Sequence, residues 1–456
     1  MEAPASASFF TYRSRESGRA REKGYILLHA TQPKWLAVNQ TTLEIAQSLS
    51  RGENIDGVAS QLALRYGESF ESVRNDVQSI SKELDRHGFL NSALSDSHPL
   101  RSPGLGSLFV RLTGRCNLAC PHCYVSSPSK GDLPASVVLR LIDELKDAGG
   151  ARIALSGGEP LLHPGIRTIL GHLASRMKVQ ILTNGTLIDR EWAGYLAEQG
   201  EIHLQISLDG ATKETHDRIR GDGSYDRILG AVEHLQRAGL GDRITFSATV
   251  MRHNLRDLQE IIRLAESLGV PRVRFLPLRR SGRAREQWSR VGADLGLEDY
   301  EQFFDYVLSL SDDRRRAIDV SCGLSGLLFH PAHFGASDGV WCPAGRNLTV
   351  EVNGDVYPCA LMMRREFLLG NVFHDGLPDL VSSAKMAAMR RALVGRREKI
   401  ERCAACPWRN FCQGGCMGET LDHKDTVWDV DMFCEYRKKA YQRVFDRFLN
   451  DFRRAG

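Results

Sequence analysis

The sequence predicts an α/β fold built on a parallel sheet that is closed or partly closed into a barrel. A winged-helix-like module precedes the sheet and a cysteine-rich region follows it. Three observations carry this reading. Six apolar strand patterns alternate with amphipathic stretches between Ser107 and about Leu278. A hairpin followed by three helical patterns lies upstream. Eight of the eleven cysteines fall beyond Val320, where the alternation stops.

At 456 residues the chain is long enough for two or three domains. Charge is nearly balanced, 60 Lys and Arg against 56 Asp and Glu, so bulk electrostatics draws it neither to nucleic acid nor to an anionic membrane. No segment approaches ~20 unbroken apolar residues and the N-terminal stretch lacks a signal-peptide core. The expectation is a cytoplasmic protein with no membrane or nucleic-acid partner. In a reducing compartment eleven cysteines point to metal or catalysis rather than to disulfides.

Tyr25 to Ala30 and Trp35 to Val38 flank a Gln-Pro-Lys turn and predict the hairpin. In the last helix after it, Phe70, Val73, Val77, Ile80 and Leu84 recur at helical spacing. Glu68 to His87 carries five acidic residues against three Lys or Arg, a poor match to phosphates. Capture of a peptide as an added strand fits the hairpin better; a packing domain without a ligand remains open. Residues 1–95 are expected to form this module and 96–106 a Ser-, Pro- and Gly-rich linker, with the barrel over 107–315 and the last domain over 316–456.

In the barrel region each unusual cluster follows a strand. Cys116, Cys120 and Cys123 come after the first, Gly157, Gly158, Glu159 and Pro160 after the second, Asn184 after the third, and Ser207 and Asp209 after the fourth. A β/α barrel places all of these on its active face. Three thiols are one short of a structural zinc site. They suit a cubane iron–sulfur cluster, in which three irons take thiolates and the fourth stays open.

The run C-x3-C-x2-C after the first strand, with GGEP after the second, resembles the radical S-adenosylmethionine enzymes over Ser107 to about Ala284. The resemblance implies a partial (β/α)6 TIM-type barrel in which Cys116, Cys120 and Cys123 hold a 4Fe-4S cluster. Its open iron chelates S-adenosyl-L-methionine, which on reduction yields a 5′-deoxyadenosyl radical that abstracts a hydrogen atom. By position, Gly157 to Pro160 would hold the methionine amino group, with Glu159 contributing its carboxylate. Ser207 would reach the ribose or carboxylate, and His122 would lie beside the adenine. Either Arg220 or Arg227 would pair with the carboxylate. Asn184 and Asp209 are turn residues or cofactor contacts.

Seven later cysteines resemble the SPASM domain of peptide-modifying radical enzymes. The resemblance assigns Cys403, Cys406, Cys412 and Cys434 to one auxiliary cluster. Cys342, Cys359 and Cys416 go to another, for which Cys322 can supply a fourth thiolate or pack as an ordinary buried thiol. Three 4Fe-4S clusters are thus expected, with a zinc ribbon as the alternative at Cys403 and Cys406. Sulfatase-maturing relatives carry an acidic residue where this chain has Ala360, which argues against their chemistry. The stretch from Arg279 to Arg290 could hold an acidic substrate segment or be a solvated face.

The N-terminal module, over about Tyr25 to Asn91, resembles the peptide-recognition element typified by the pyrroloquinoline quinone biosynthesis chaperone. Together the three regions imply a peptide maturase acting on a ribosomally made precursor, whose leader binds the module while its core reaches the barrel. The expected outcome is a thioether, carbon–carbon or ether cross-link, or epimerisation. An external reductant such as flavodoxin or ferredoxin is implied. The alternatives are a radical enzyme for a small molecule such as a tetrapyrrole, and a non-enzymatic winged-helix regulator with structural metal.

Overall fold

The structure, a computed structural model, describes residues 9–13, 24–90, 104–125, 131–174, 176–291, 295, 297–320, 342 and 344–455. Most of the expected linker and Cys322 lie outside the described residues.

The N-terminal module is a three-stranded antiparallel sheet, β1 (Phe9–Arg13), β2 (Tyr25–His29) and β3 (Trp35–Val38), followed by α1 (Gln40–Ser50), α2 (Ile55–Tyr66) and α3 (Phe70–Arg86). Asn39, Asn54 and Ser69 cap the three helices by accepting from backbone N–H groups of the first turn. β1 is an addition to the expected hairpin, and it makes β2 the central strand. All five residues of β2 are buried because both faces are covered. Tyr25 and Leu27 join the module's own core, and Ile26 and Leu28 join the main core of the molecule.

The barrel strands are β4 (Ser107–Thr113), β5 (Arg152–Gly157), β6 (Lys178–Thr183), β7 (Ile202–Ser207), β8 (Ile244–Val250) and β9 (Arg272–Pro277), all parallel. They alternate with α4 (Ala135–Asp147), α5 (Ile166–Leu173), α6 (Arg190–Ala197), the pair α7 (Lys213–Arg220) and α8 (Ser224–Arg237), and α9 (Leu258–Ser267). Alternation along each strand sets the two faces. Val110, Leu155, Ile181, Leu204 and Phe246 are buried in the main apolar core, whereas Arg111, Ser156, Gln180, Gln205 and Ser247 line the concave interior.

The sheet continues past these six strands. β10 (Ile318–Val320) pairs parallel with β9, and β11 (Asn347–Val350) pairs parallel with β4, followed by antiparallel β12 (Asp355–Tyr357) and β13 (Gly370–Asn371). The ten-stranded order is β10-β9-β8-β7-β6-β5-β4-β11-β12-β13, so the barrel is open. The C-terminal region adds α10 (Ala384–Lys399), α11 (Met417–Lys424) and α12 (Cys434–Ala455). Among the described residues no helix is long and apolar enough to cross a membrane.

The module is docked on this C-terminal region. Trp35 packs edge-on against Phe445 and Phe448 of α12, with ring centroids 5.4 and 5.1 Å apart. Tyr12 meets Trp408 at 5.6 Å and donates its hydroxyl to Asp446 at 2.8 Å. Asn410 and Arg409, between Cys406 and Cys412, donate to the carbonyls of His29 (2.9 Å) and Ala30 (3.1 Å).

Candidate functional site

The strand ends are drawn together by close backbone approach. Gly157 has φ +148°, and a Cβ there would lie 2.4 Å from the Thr113 carbonyl oxygen; at Gly158 a Cβ would lie 2.2 Å from that of Arg115. The contact is fixed by Gly158 N–H to Thr113 O (2.7 Å) and Glu159 N–H to Arg115 O (2.8 Å). Thus the GG pair presses the second strand's turn onto the cysteine loop. From the other side, Ala284 N–H donates to Cys123 O (3.0 Å) and Arg283 to Cys120 O (2.9 Å). Gly282, at φ +55°, passes the Tyr124 backbone with no room for a side chain. The Arg-rich stretch therefore braces the thiol loop, a role its charge pattern did not signal.

Cys116, Cys120, His122, Cys123, Gly157, Gly158, Asn184, Ser207 and Arg220 line one cavity of about 1100 Å3. It also reaches Cys359, Ala360, Leu361, Cys416 and Glu419, joining the barrel interior to the C-terminal region. Glu159, Pro160, Asp209 and Arg227 do not line it. Glu159 is fully buried; it accepts from the Thr183 hydroxyl (2.7 Å) and the N–H groups of Asn184 (2.8 Å) and Leu161 (3.2 Å). Burial outweighs these bonds and pushes its carboxyl up to about 7. Its carboxylate ties the third strand's turn to the second's rather than facing the cavity.

Asp209 is likewise internal. It accepts from Arg220 Nε (2.6 Å) and Thr249 N–H (2.7 Å) and lies 3.2 Å from His122 Nε2. Burial alone would raise it, but the Arg220 guanidinium and His122 hold its carboxyl well below the usual carboxylate range. Anchored so, Arg220 brings its terminal nitrogens to 4.0 Å from Cys120 Sγ and 3.5 Å from His122 Nε2. Among the described residues, His122 Nδ1 is buried without a hydrogen-bond partner. Arg227 lies on the exposed face of α8, so of the two arginines only Arg220 is at the site.

The thiols fit iron–sulfur ligation. Burial raises Cys116 and Cys120, and the neighbouring thiols of the trio raise them further. Burial pushes Cys403 up to about 12, reinforced by the neighbouring Cys412, Cys406 and Cys434. Burial likewise lifts Cys342 to about 11 and Cys416 to about 12; Cys359 is a charged neighbour of both. Such groups resist deprotonation unless a metal compensates the charge. Among the described residues no three Cys, His, Asp or Glu side chains converge as on a single ion; in a cubane each thiolate sits on its own iron. Arg396 strings the C-terminal loops together, donating to the carbonyls of Gly415 (2.6 Å) and Val427 (2.6 Å) and to Thr420 (3.0 Å).

A strand-end face carrying three thiols, a double-glycine turn and an anchored arginine defines an iron–sulfur α/β-barrel protein. Residues 110–265 match the radical SAM superfamily and residues 342–407 the SPASM iron-sulfur cluster-binding domain. Mycofactocin maturase MftC of Mycobacterium ulcerans (strain Agy99) is 34% identical over 314 residues, covering 67% of this chain and 81% of that protein. Fe-coproporphyrin III synthase of Methanosarcina barkeri (strain Fusaro / DSM 804) is 29% identical over 416 residues, covering 83% and 94%. The structure of SuiB of Streptococcus suis bound to S-adenosylmethionine superposes with a TM-score of 0.60 at 18% identity, covering 95% of this chain and 99% of that one. SuiB has also been solved bound to its precursor peptide SuiA, with a TM-score of 0.58 at 18% identity over 90% and 96% of the two chains. The chain belongs to the radical SAM superfamily and carries its SPASM domain. Its cofactors are 4Fe-4S clusters and S-adenosylmethionine.

Proposed function

We propose that the chain modifies a ribosomally made precursor peptide, with the leader on the N-terminal module and the core in the shared cavity. The observation that carries this reading is the module itself. β3 is an edge strand, able to take a further strand, and the sheet behind it is fixed to the C-terminal region by Trp35, Tyr12, Asn410 and Arg409. A leader held there tethers its core near the cavity, which raises the core's local concentration. Relatives named as a maturase and a precursor-binding protein support the same reading.

Cys116, Cys120 and Cys123 would hold the cluster that, with S-adenosylmethionine, supplies the 5′-deoxyadenosyl radical. Arg220 would pair with the cofactor carboxylate, held in place by Asp209. Gly157 and Gly158 present backbone to its amino group, Ser207 and Asn184 offer polar contacts, and His122 flanks the adenine. Glu159 acts as a positioning residue. Cys403, Cys406, Cys412 and Cys434 would hold one auxiliary cluster, and Cys342, Cys359 and Cys416 the other.

The relation to Fe-coproporphyrin III synthase supports a second reading, a tetrapyrrole substrate. One experiment separates the two. Full-length protein, reconstituted anaerobically, is incubated with S-adenosylmethionine, a reductant and either an iron porphyrinoid precursor of iron coproporphyrin or synthetic copies of the short peptides encoded beside its gene. A peptide that loses two hydrogens in mass, or gains D-residues on hydrolysis, supports the maturase; conversion of the porphyrin alone sinks it.

A further inference from the structure

Arg279 leaves the last barrel strand and crosses into the C-terminal region. Its Nη1 donates to Glu419 Oε1 at 2.9 Å and its Nη2 to the Gly418 carbonyl at 3.0 Å, and it is ion-paired with Asp422. Glu419 is 3% exposed at its side chain yet lines the cavity beside Ala360, Leu361 and Cys416. Only one of its oxygens is satisfied. Among the described residues Oε2 has no hydrogen bond; His423 Nε2, at 3.9 Å, is beyond hydrogen-bonding range. Among the described residues, His423 Nε2 and Arg279 Nε are also buried without hydrogen-bond partners. Unmade bonds on buried polar groups are costly, and of these residues Glu419 and Arg279 line the cavity, where an unmade bond marks the place of a ligand's polar atom.

We propose that Glu419, held by Arg279, is a specificity-determining subsite that accepts a hydrogen bond from the substrate core: a side-chain hydroxyl or an amide N–H. The proposal rests on the peptide reading above. Burial pushes the Glu419 carboxyl up to about 7 against the opposing pull of Arg279; in its ionised form it is acceptor-only, and the group it then takes is a donor. The charges already offset one another, since Arg279 faces Glu419 and Asp422 while Arg364 and Arg285 lie near Asp422. The corner therefore selects a neutral donor over an ion. Because the cavity is continuous, a residue held at Glu419 shares it with the Cys116 loop and Cys416.

The test uses the full-length, iron-loaded protein and whichever peptide is modified in the assay above. Glu419→Gln keeps an acceptor for Arg279 but removes the charged one. The expected result is an about tenfold rise in KM for the peptide, the size of a lost hydrogen bond to a charged group. Turnover should change less than twofold, and iron content and peptide-free 5′-deoxyadenosine formation should not change. Hydroxyl- and amide-bearing core residues are then exchanged for Ala one at a time. At one position the KM of the unsubstituted protein should rise to match the variant's, closing the difference between them. An unchanged KM, or the same difference with every peptide, overturns the subsite alone. If Glu419→Gln loses iron, Glu419→Asp keeps the ion pair and withdraws the acceptor, and the same criteria apply. If no peptide is modified, the subsite and the peptide reading fall together.

Discussion

Arg220 and Arg227 are seven residues apart, and helical spacing does not distinguish them. The sequence placed both near the cofactor carboxylate because it cannot show that α7 ends at Arg220 beside the strand ends while α8 turns Arg227 outward. Arg220→Ala leaves Asp209 buried without its main counter-charge, which costs ~3–5 kcal/mol locally. It should abolish peptide-free 5′-deoxyadenosine formation, whereas Arg227→Ala should stay within about twofold of the parent rate, since exposed positions contribute little. Equal losses in the two variants would refute the assignment of Arg220. The double glycine gives a second test at this scale. Gly158→Ala sets a Cβ 2.2 Å from Arg115 O, against backbone that cannot yield. S-adenosylmethionine cleavage should fall at least tenfold while the far-ultraviolet circular dichroism is unchanged. Glycine at 157 and 158 was readable from sequence as a motif; the role of Gly282, pressed on Tyr124, was not, because it acts across more than 150 residues of intervening chain.

At the level of elements, legibility followed length and context. Strands β4 to β9 were visible because each is six or seven residues long and bounded by turn residues. β10 and β11, at three and four residues, carry too short a pattern, and their partners are set by the sheet rather than by neighbours in sequence. β1 was hidden for the same reason: its pairing with β2 and its contact with α12 exist only in the folded chain. That contact makes a prediction. Trp35→Ala removes the half-buried ring set against Phe445 and Phe448 and should cost ~1.5–3 kcal/mol of docking. Proteolysis should then release the module while peptide-free 5′-deoxyadenosine formation is retained. The same junction is pH-sensitive. His29 Nδ1 accepts from the N–H groups of Thr31 and Gln32, both at 3.1 Å, leaving Nε2–H to donate to Gly88 O at 3.0 Å, so the ring is held neutral. Burial lowers its pKa, so the unfolded state binds the proton more readily and stability rises with pH. The contribution is complete above the ordinary histidine value of about 6.5 and is lost as pH falls from there through the lowered one. The module's unfolding midpoint should drop over that window, and His29→Gln should flatten the dependence.

Across the whole molecule, the thiol sets serve different parts of the fold. Cys116, Cys120 and Cys123 sit on a loop clamped by β5's turn and by the segment after β9. Cys403, Cys406, Cys412 and Cys434 bracket Trp408, Arg409 and Asn410, the residues that hold Tyr12, His29 and Ala30, and Cys434 begins the helix that holds Trp35. Iron bound by the second set, as proposed above, would order the surface on which the module rests, since closing short loops on a cluster couples metal binding to folding. Replacing Cys116, Cys120 and Cys123 with Ala should remove about four irons and all 5′-deoxyadenosine formation, leaving amide exchange in residues 25–38 as in the parent. Replacing Cys406 and Cys412 with Ala should also lose about four irons, but here exchange in residues 25–38 should quicken and the affinity for the leader should fall. If both replacements leave the module equally protected, the second cluster does not support it, and the docking rests on the apolar contacts of Trp35 and Tyr12 alone.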